Sequence, residues 1–435
     1  MSTTLANAEI ALSKELGDYW AGTSTSAGAA GGTTVIDTAL KAKANDWVSE
    51  EAYDMITSGT YDGEERKISS LDNTSGTLTV LAHTGQIASG ITYRVHRLFS
   101  ASDKRIALIS AAKDAFPYIY NEIRDESLVL GNWLKDGSFE VWTNATTPTY
   151  WTVTTCTATK TSTAGLVRHG TYSCQLSTLA GTIAHKITNF TDLQFLRGRS
   201  VTFSIQAYSN TANALRISVY DGTTTTYSSY HAGDSAWTED NPSNDNMYVT
   251  QYIDPNATEV TVTVHYVNAA ATCYVDDARL ISNPHGRIYI GNLGLAQNKP
   301  NEVLVERAYY SQDEPWITVR DWDVDSSGYL YIPTDYVSDR RLRIVGKGYL
   351  DFLASGASST AWTATINIDD PQLKILSAQA ALYLYTTMSL PNYESGTTKD
   401  YQAAMNYWVG KLAERQVKYG MGWGTTTATV NYGVH

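Results

Sequence analysis

The stretch KDGSFEVWTNATTPTYWTV, Lys135 to Val153, decides how the rest of the chain is parsed. Upstream of it, Ala107 to Leu130 reads as helix, with Ile106, Ile109, Ala112 and Phe116 on one stripe, a break at Pro117, and Tyr120 and Ile123 continuing the face. Downstream, helix formers become scarce and threonine becomes dense. Alternating segments recur between turn residues: SVTFSIQAYS, ALRISVYDG, MYVTQYI, EVTVTVHYV and TCYVDDARLI. That rhythm is the signature of an antiparallel β-sandwich. The stretch therefore marks the start of a second domain, running over 135–283.

The flanks have another character. Leu5, Ala8, Leu12, Leu16 and Tyr19 fall at helical spacing. Short strands follow, and DNTSG between two alternating runs predicts a hairpin. After residue 284 come further strands, then a helix opening at Asp369-Asp370-Pro371, with acids at its positive end and proline in the first turn. PNYESG (391–396) links it to a helix over 398–419, so the pair is expected to form an antiparallel hairpin. The fold class is α+β. Residues 1–134 and 284–422 make one discontinuous domain, a small helical bundle with β-hairpins. The sandwich is inserted into it, and 423–435 form an extended tail.

At 435 residues the chain can bury more than one core. Its 30 Tyr and 11 Trp against 7 Phe suit surfaces that are apolar in body and polar at the tip, as protein and sugar interfaces are. A net charge of −12 without a long Lys/Arg block argues against sequence-specific nucleic-acid binding. Nothing approaches 18 uninterrupted apolar residues, so no membrane span is expected. Cys156, Cys174 and Cys273 lack metal spacing and read as buried free thiols, with a Cys156–Cys174 disulfide as the alternative.

DGSFEVW, Pro148, Trp151, VRHGTYSCQL and CYVDDARLI together resemble the jelly-roll of carbohydrate-binding modules over about a third of the chain. That family opens on a strand N/D-G-x-F-E, here Asp136, Gly137, Phe139 and Glu140. It closes on Y-V/I-D-D-V/A-R-L, here Tyr274 to Leu280. First and last strands side by side would bring the domain's ends together, which is what insertion into a host loop requires. The resemblance implies a structural Ca²⁺ at Glu140 and Asp276. Read as residues alone, these acids equally suit hydrogen bonds to loop amides, and no other cofactor is expected. Sugar would stack on exposed aromatic rings. Trp237 and Tyr230 are the loop positions for this, and Trp142 and Trp151 further ones that also suit a core.

The flanking part resembles bacteriophage head–tail connector (neck or adaptor) proteins, through ERKISSLDNTSGTLTVL, PWITVRDWDVDSSGYLYIP, RLRIVGKGYLDFL and the terminal helical pair. The resemblance implies a virion protein made in the host bacterial cytoplasm. It would form a ring with copies of itself, a dodecamer, joining portal protein to tail or nozzle proteins. DNA would slide through its acidic lumen unbound. The tail, with Trp423, Val430 and Tyr432, would add a strand to the portal.

Enzymatic patterns are missing from the sequence. The eight histidines are dispersed, and neither HExxH, G-x-S-x-G nor a P-loop occurs. DWDVDSSG lacks the glycine position and final Glu of a calcium loop and reads as a hairpin strand with one acidic face. The expectation is a structural virion adaptor whose outward jelly-roll meets glycans. The alternatives are a phage fibre or decoration protein for host glycan adsorption, and a carbohydrate-active enzyme with a binding module.

Overall fold

The computed structural model describes residues 2–48, 52–238, 247–269, 271–282, 286–307, 316–333, 336, 339–389 and 398–422. Among the described residues, five α-helices stand against 29 mostly short strands, so the chain is mainly β. The helices are α1 (Leu5–Glu15), α2 (Ala101–Asp114), α3 (Phe190–Leu196), α4 (Asp370–Ser389) and α5 (Thr398–Tyr419).

Two compact units divide the chain, Glu122–Gly348 and the discontinuous pair Met1–Asn121 with Tyr349–His435. The division falls outside the expected limits of 135 and 283. The reason is a second core in the first of these units, built from Leu128, Leu130, Ile288, Val303, Leu330 and Ile344. It draws Ile123, Leu128 and Leu130 together with side chains between Ile288 and Ile344. The strand Asn121–Asp125 neighbours Leu342–Gly348 in one four-stranded sheet, so the unit begins and ends on adjacent strands. Close ends are what lets one domain sit inside another's sequence.

The sandwich has ten strands. They are β1 (Thr152–Thr154), β2 (Thr157–Thr161), β3 (Ser173–Ser177), β4 (Gly181–Ile187), β5 (Ser200–Ser209), β6 (Leu215–Tyr220), β7 (Thr225–Tyr227), β8 (Tyr248–Tyr252), β9 (Val260–Tyr266) and β10 (Cys273–Ile281). One sheet has the order β2-β3-β10-β5-β8 and the other β1-β4-β9-β6-β7. From β3 to β6 the chain changes sheet at every step, the jelly-roll way of winding, and every pairing in the two sheets is antiparallel. Burial follows the period of two. In β9, Val260, Val262, Val264 and Tyr266 are buried while Thr261, Thr263 and His265 are half-buried on the other face. Phe203, Ile217, Val219 and Val275 meet these in the core. Cys156, Cys174 and Cys273 are free and buried there.

The quoted opening motif is not a strand. Residues 135–138 form a turn, and the first strands of the stretch are Trp142–Asn144 and Thr147–Pro148. The cause is a backbone approach. Ala278 N–H donates to Gly137 O at 2.7 Å, and a Cβ on Gly137 would lie 2.0 Å from Ala278 O. Phe139 then adopts φ 53° so that its ring reaches the core, stacked on Trp151 at 4.8 Å. The opening segment still lies against the last strand. Trp133 N–H donates to Leu280 O, and Asn132 bonds both the carbonyl of Ala278 and the amide of Leu280.

In the discontinuous unit, α1 starts where Thr4 accepts from Asn7 N–H. It buries Leu5, Ala8 and Leu12 against α2 and α4, whose Ala107, Leu108, Ala111, Ile375 and Leu376 share that core. Arg415, late in α5, bonds the carbonyl of Lys374 at the start of α4, so the two helices run antiparallel. The expected helix over 107–130 stops at Asp114, because Pro117 cannot continue it, and Asn121–Asp125 is a strand. Of its expected stripe, Ala112 is buried and Ile109 packs against the core. Ile106 is exposed, and the buried face runs through Lys104, Ala107, Leu108 and Ala111. The strands Trp20–Thr23, Thr92–His96, Tyr53–Ile56, Glu65–Asp72, Thr77–Val80 and Thr34–Ile36 pair in that order, and a bridge from Ser26 to Ile36 closes the sheet on itself. Among the described residues no helix is long and apolar enough to cross a membrane. Trp423, Val430 and Tyr432, and the connection 391–396, lie outside the described residues.

Candidate functional site

The outer face of the sheet β1-β4-β9-β6-β7 brings two exposed tyrosine rings beside a guanidinium, an imidazole and hydroxyls. Strand alternation places them. Arg216 and Ser218 on β6 point away from the core because Leu215, Ile217 and Val219 point into it. Register then aligns neighbours: Arg216 faces His265, Ser218 faces Thr263, and Ser218 faces Tyr227 on the far side. After β7 the backbone keeps to β6, with Ser228 N–H donating to Ile217 O and His231 N–H to Leu215 O, and this carries Tyr230 onto the same face.

Two exposed rings result, Tyr227 at 47% and Tyr230 at 41%. The Arg216 guanidinium lies against both, 4.1 Å from the Tyr227 centroid and 5.0 Å from that of Tyr230. The His265 ring stands 5.4 Å from Tyr227, and its Nε2 shares a 2.8 Å hydrogen bond with Ser218 Oγ. Burial, with the Arg216 charge beside it, lowers the His265 pKa to about 4, so the imidazole is neutral near neutral pH. Thr261 and Thr263 extend a hydroxyl-bearing floor toward the ion pair of Lys186 with Glu259. Apolar ring faces beside a guanidinium, an imidazole and hydroxyls can stack on the C–H face of a sugar while bonding its hydroxyls.

Of the residues expected to meet sugar, only Tyr230 lies here. Trp237 is 5% exposed, a correction to its reading as an exposed loop residue. The loop is zipped to β5: Trp237 bridges Tyr208, Thr238 N–H donates to Ala207 O, and the indole N–H is spent on Gly165 O at 3.0 Å. Trp151 is buried with its indole N–H on Asp136 O. Trp142 is half-buried, and its N–H bonds Phe139 O. Tyr227, Arg216 and His265 were missed in the sequence. Their signal, ALRISVYDG pairing with EVTVTVHYV, shows outward positions only once the register is known.

Glu140 and Asp276, the acids where the resemblance implies Ca²⁺, each accept backbone amides. Glu140 Oε1 accepts from Thr171 N–H and Tyr172 N–H at 2.8 and 3.0 Å. Asp276 Oδ2 accepts from Arg168 N–H and His169 N–H at 2.7 and 2.9 Å, and Oδ1 from Asp277 N–H. Asp136 receives the amides of Glu140 and Val141. Among the described residues no three His, Cys, Asp or Glu side chains are grouped to hold a metal ion. Through these bonds the acids clamp the 168–172 loop. Burial outweighs these amide bonds and raises Asp136 to about 6, Glu140 to about 7 and Asp276 to about 8. Asp277 behaves oppositely. Its hydrogen bonds to Arg279 and the charges of Arg279 and Arg341 more than offset burial and lower its pKa.

No protein-family profile matches the sequence, and no curated protein matches it. Solved structures similar to it include three that each cover about a third of the chain. A CBM61 module in complex with β-1,4-galactotriose is 15% identical, covering 35% of this chain and 99% of that one, at TM-score 0.26. The CBM22-1 xylan-binding domain of Paenibacillus barcinonensis Xyn10C is 16% identical, covering 37% and 97%, at TM-score 0.26. The enzymatically active domain of tailspike protein 4 of bacteriophage CBA120 is 13% identical, covering 36% and 21%, at TM-score 0.26. Scores at this level leave the fold assignment to the strand order given above.

Proposed function

We propose that the protein is a carbohydrate-recognition protein, binding glycan without turning it over, through the outer face of β4, β9, β6 and β7. The observation that carries this reading is the pair of exposed rings, Tyr227 and Tyr230, flanking Arg216 above a hydroxyl-rich floor. Stacking supplies affinity, and Arg216 with the neutral His265 supplies hydrogen bonds that select among hydroxyl patterns. A glycan array probed with the full chain and with a Tyr227→Ala/Tyr230→Ala variant tests it. Signals present for the parent and lost in the variant support the reading.

A second reading sets this face on a virion. In it the chain is a head–tail adaptor subunit, a ring of about a dozen copies seated on the portal, with the jelly-roll outward. Tyr407 at 58%, Val409 at 51% and Val417 at 91% are exposed on different faces of α5, and this reading rests on the resemblance carried by the flanking sequence. The mass of the assembled full chain tests it. A ring supports the adaptor and a trimer a fibre, while a monomer removes both.

A further inference from the structure

A cavity of about 350 Å³ opens in the discontinuous unit, between the start of α2, the hairpin of Tyr53–Ile56 with Glu65–Asp72, and the segment holding Trp362. Its polar lining is Glu64, Glu65, Arg66, Ser102 and Arg105. Most of these groups are already committed. Glu65 accepts from the amides of Ala101 and Ser102, so the first α2 amides are capped. Glu64 receives Thr84 N–H and faces His83 and Arg66. Arg66 also donates to Ala82 O and Glu65 O.

Arg105 differs. Its guanidinium lies over the Trp362 ring, 5.2 Å from the centroid, and among the described residues it makes no hydrogen bond or ion pair. The Ser102 hydroxyl, one turn earlier on the same wall, likewise has no hydrogen bond among the described residues. A planar fork held on an indole, with its N–H edge uncommitted in a concavity, is prepared for a bidentate acceptor. Two carboxylates and two guanidiniums bring the lining to zero net charge. That balance admits a single negative charge and disfavours a phosphate dianion.

We propose that this cavity is a carboxylate-binding site, with Arg105 taking the acid bidentately and Ser102 donating a further hydrogen bond. The acid is either a free small carboxylate or the side chain of an acidic residue in a peptide. The site does not depend on the sugar-binding reading.

Ligand-observed NMR titration of the full chain tests it with propionate, Ac-Gly-Glu-Gly-NH2, Ac-Gly-Gln-Gly-NH2 and inorganic phosphate. At least one acid probe binds and the glutamine peptide does not. Arg105→Met weakens binding on the order of tenfold to a hundredfold, with an unchanged thermal melt. Arg105→Lys, which keeps the charge and loses the fork, gives an intermediate loss and serves if the Met variant folds poorly. Preference for the Glu peptide assigns the acid to a polypeptide, and equal affinity for propionate assigns it to a small molecule. Absence of binding by both acids, acid binding indifferent to Arg105→Met, or tighter binding of phosphate overturns the proposal.

Discussion

Asp277 Oδ2 accepts a hydrogen bond from Arg341 Nη2 at 2.7 Å, joining the last sandwich strand to a residue 64 positions later in the chain. The same oxygen holds Arg279 Nη2 at 2.6 Å, and Arg279 reaches on to Asp339. The Asp277 side chain is almost fully buried. Removing it leaves Arg341 without this carboxylate and Arg279 with Asp339 alone, both guanidiniums being largely buried. Asp277→Ala is expected to destabilise the Glu122–Gly348 unit by about 3–5 kcal/mol. Denaturant unfolding of the full chain measures this, and a loss under about 1 kcal/mol would mean the pair contributes little.

Gly137 tests the closure of the sandwich ends. Its hydrogens face the carbonyl of Ala278, where a Cβ would lie 2.0 Å away. Gly137→Ala must push the opening turn off β10 and is expected to cost about 1–3 kcal/mol or more. Gly165→Ala is the control for added side-chain bulk, since a Cβ there meets nothing within 4 Å, although its φ of 84° adds backbone strain. A smaller loss at Gly137 than at Gly165 would contradict the close approach.

The amide-clamped acids predict an inverted pH response. Asp136, Glu140 and Asp276 hold their protons more tightly folded than unfolded, with folded values of about 6, 7 and 8. The stability they contribute is complete below roughly pH 4 and is lost as pH rises through those values. Asp277, held low by its arginines, contributes stability that is lost only as pH falls below the ordinary carboxylate range. The buried histidines, His265 among them, pull the whole-chain profile the other way, so the test is a comparison: Asp276→Asn, which has no proton to lose, is expected to gain in thermal melt relative to the parent as pH rises from 5 to 8. The same melts in millimolar CaCl2 and in EDTA are expected to coincide. A site binding Ca²⁺ at a hundredth of the added concentration would instead add about 2.7 kcal/mol.

The sequence displays those features that depend on period and composition. The alternation of EVTVTVHYV, the helical stripe Leu5-Ala8-Leu12 and the Asp369-Asp370-Pro371 start all reappear in the structure. What depends on a non-local partner did not show. DGSFE reads as a strand because nothing local reveals that Gly137 must meet the Ala278 carbonyl. Trp237 sits in a polar loop sequence, yet that loop pairs with β5 and buries the indole. Tyr227 and Arg216 are 11 residues apart in sequence and meet only through the β6–β7 register. Leu128 and Leu130 share a core with residues beyond 286, while Leu134 belongs to the sandwich core, and nothing local in the sequence shows that division.

The neutral state of His265 sets the pH behaviour of the tyrosine face. With a pKa of about 4, it does not change charge between pH 5 and 8. Affinity for glycan is expected to be flat over that interval and to change below about pH 4.5. A step centred near pH 6.5, the ordinary histidine range, would contradict the burial of the ring.

Quantitative glycan binding by the full chain, parent against Tyr227→Ala/Tyr230→Ala, tests the central claim most directly. The expected result is saturable binding of at least one glycan, weakened roughly tenfold or more by the double substitution, with the thermal melt preserved. Binding of no glycan by the parent, or equal binding by the variant, would contradict the assignment of carbohydrate recognition to this face.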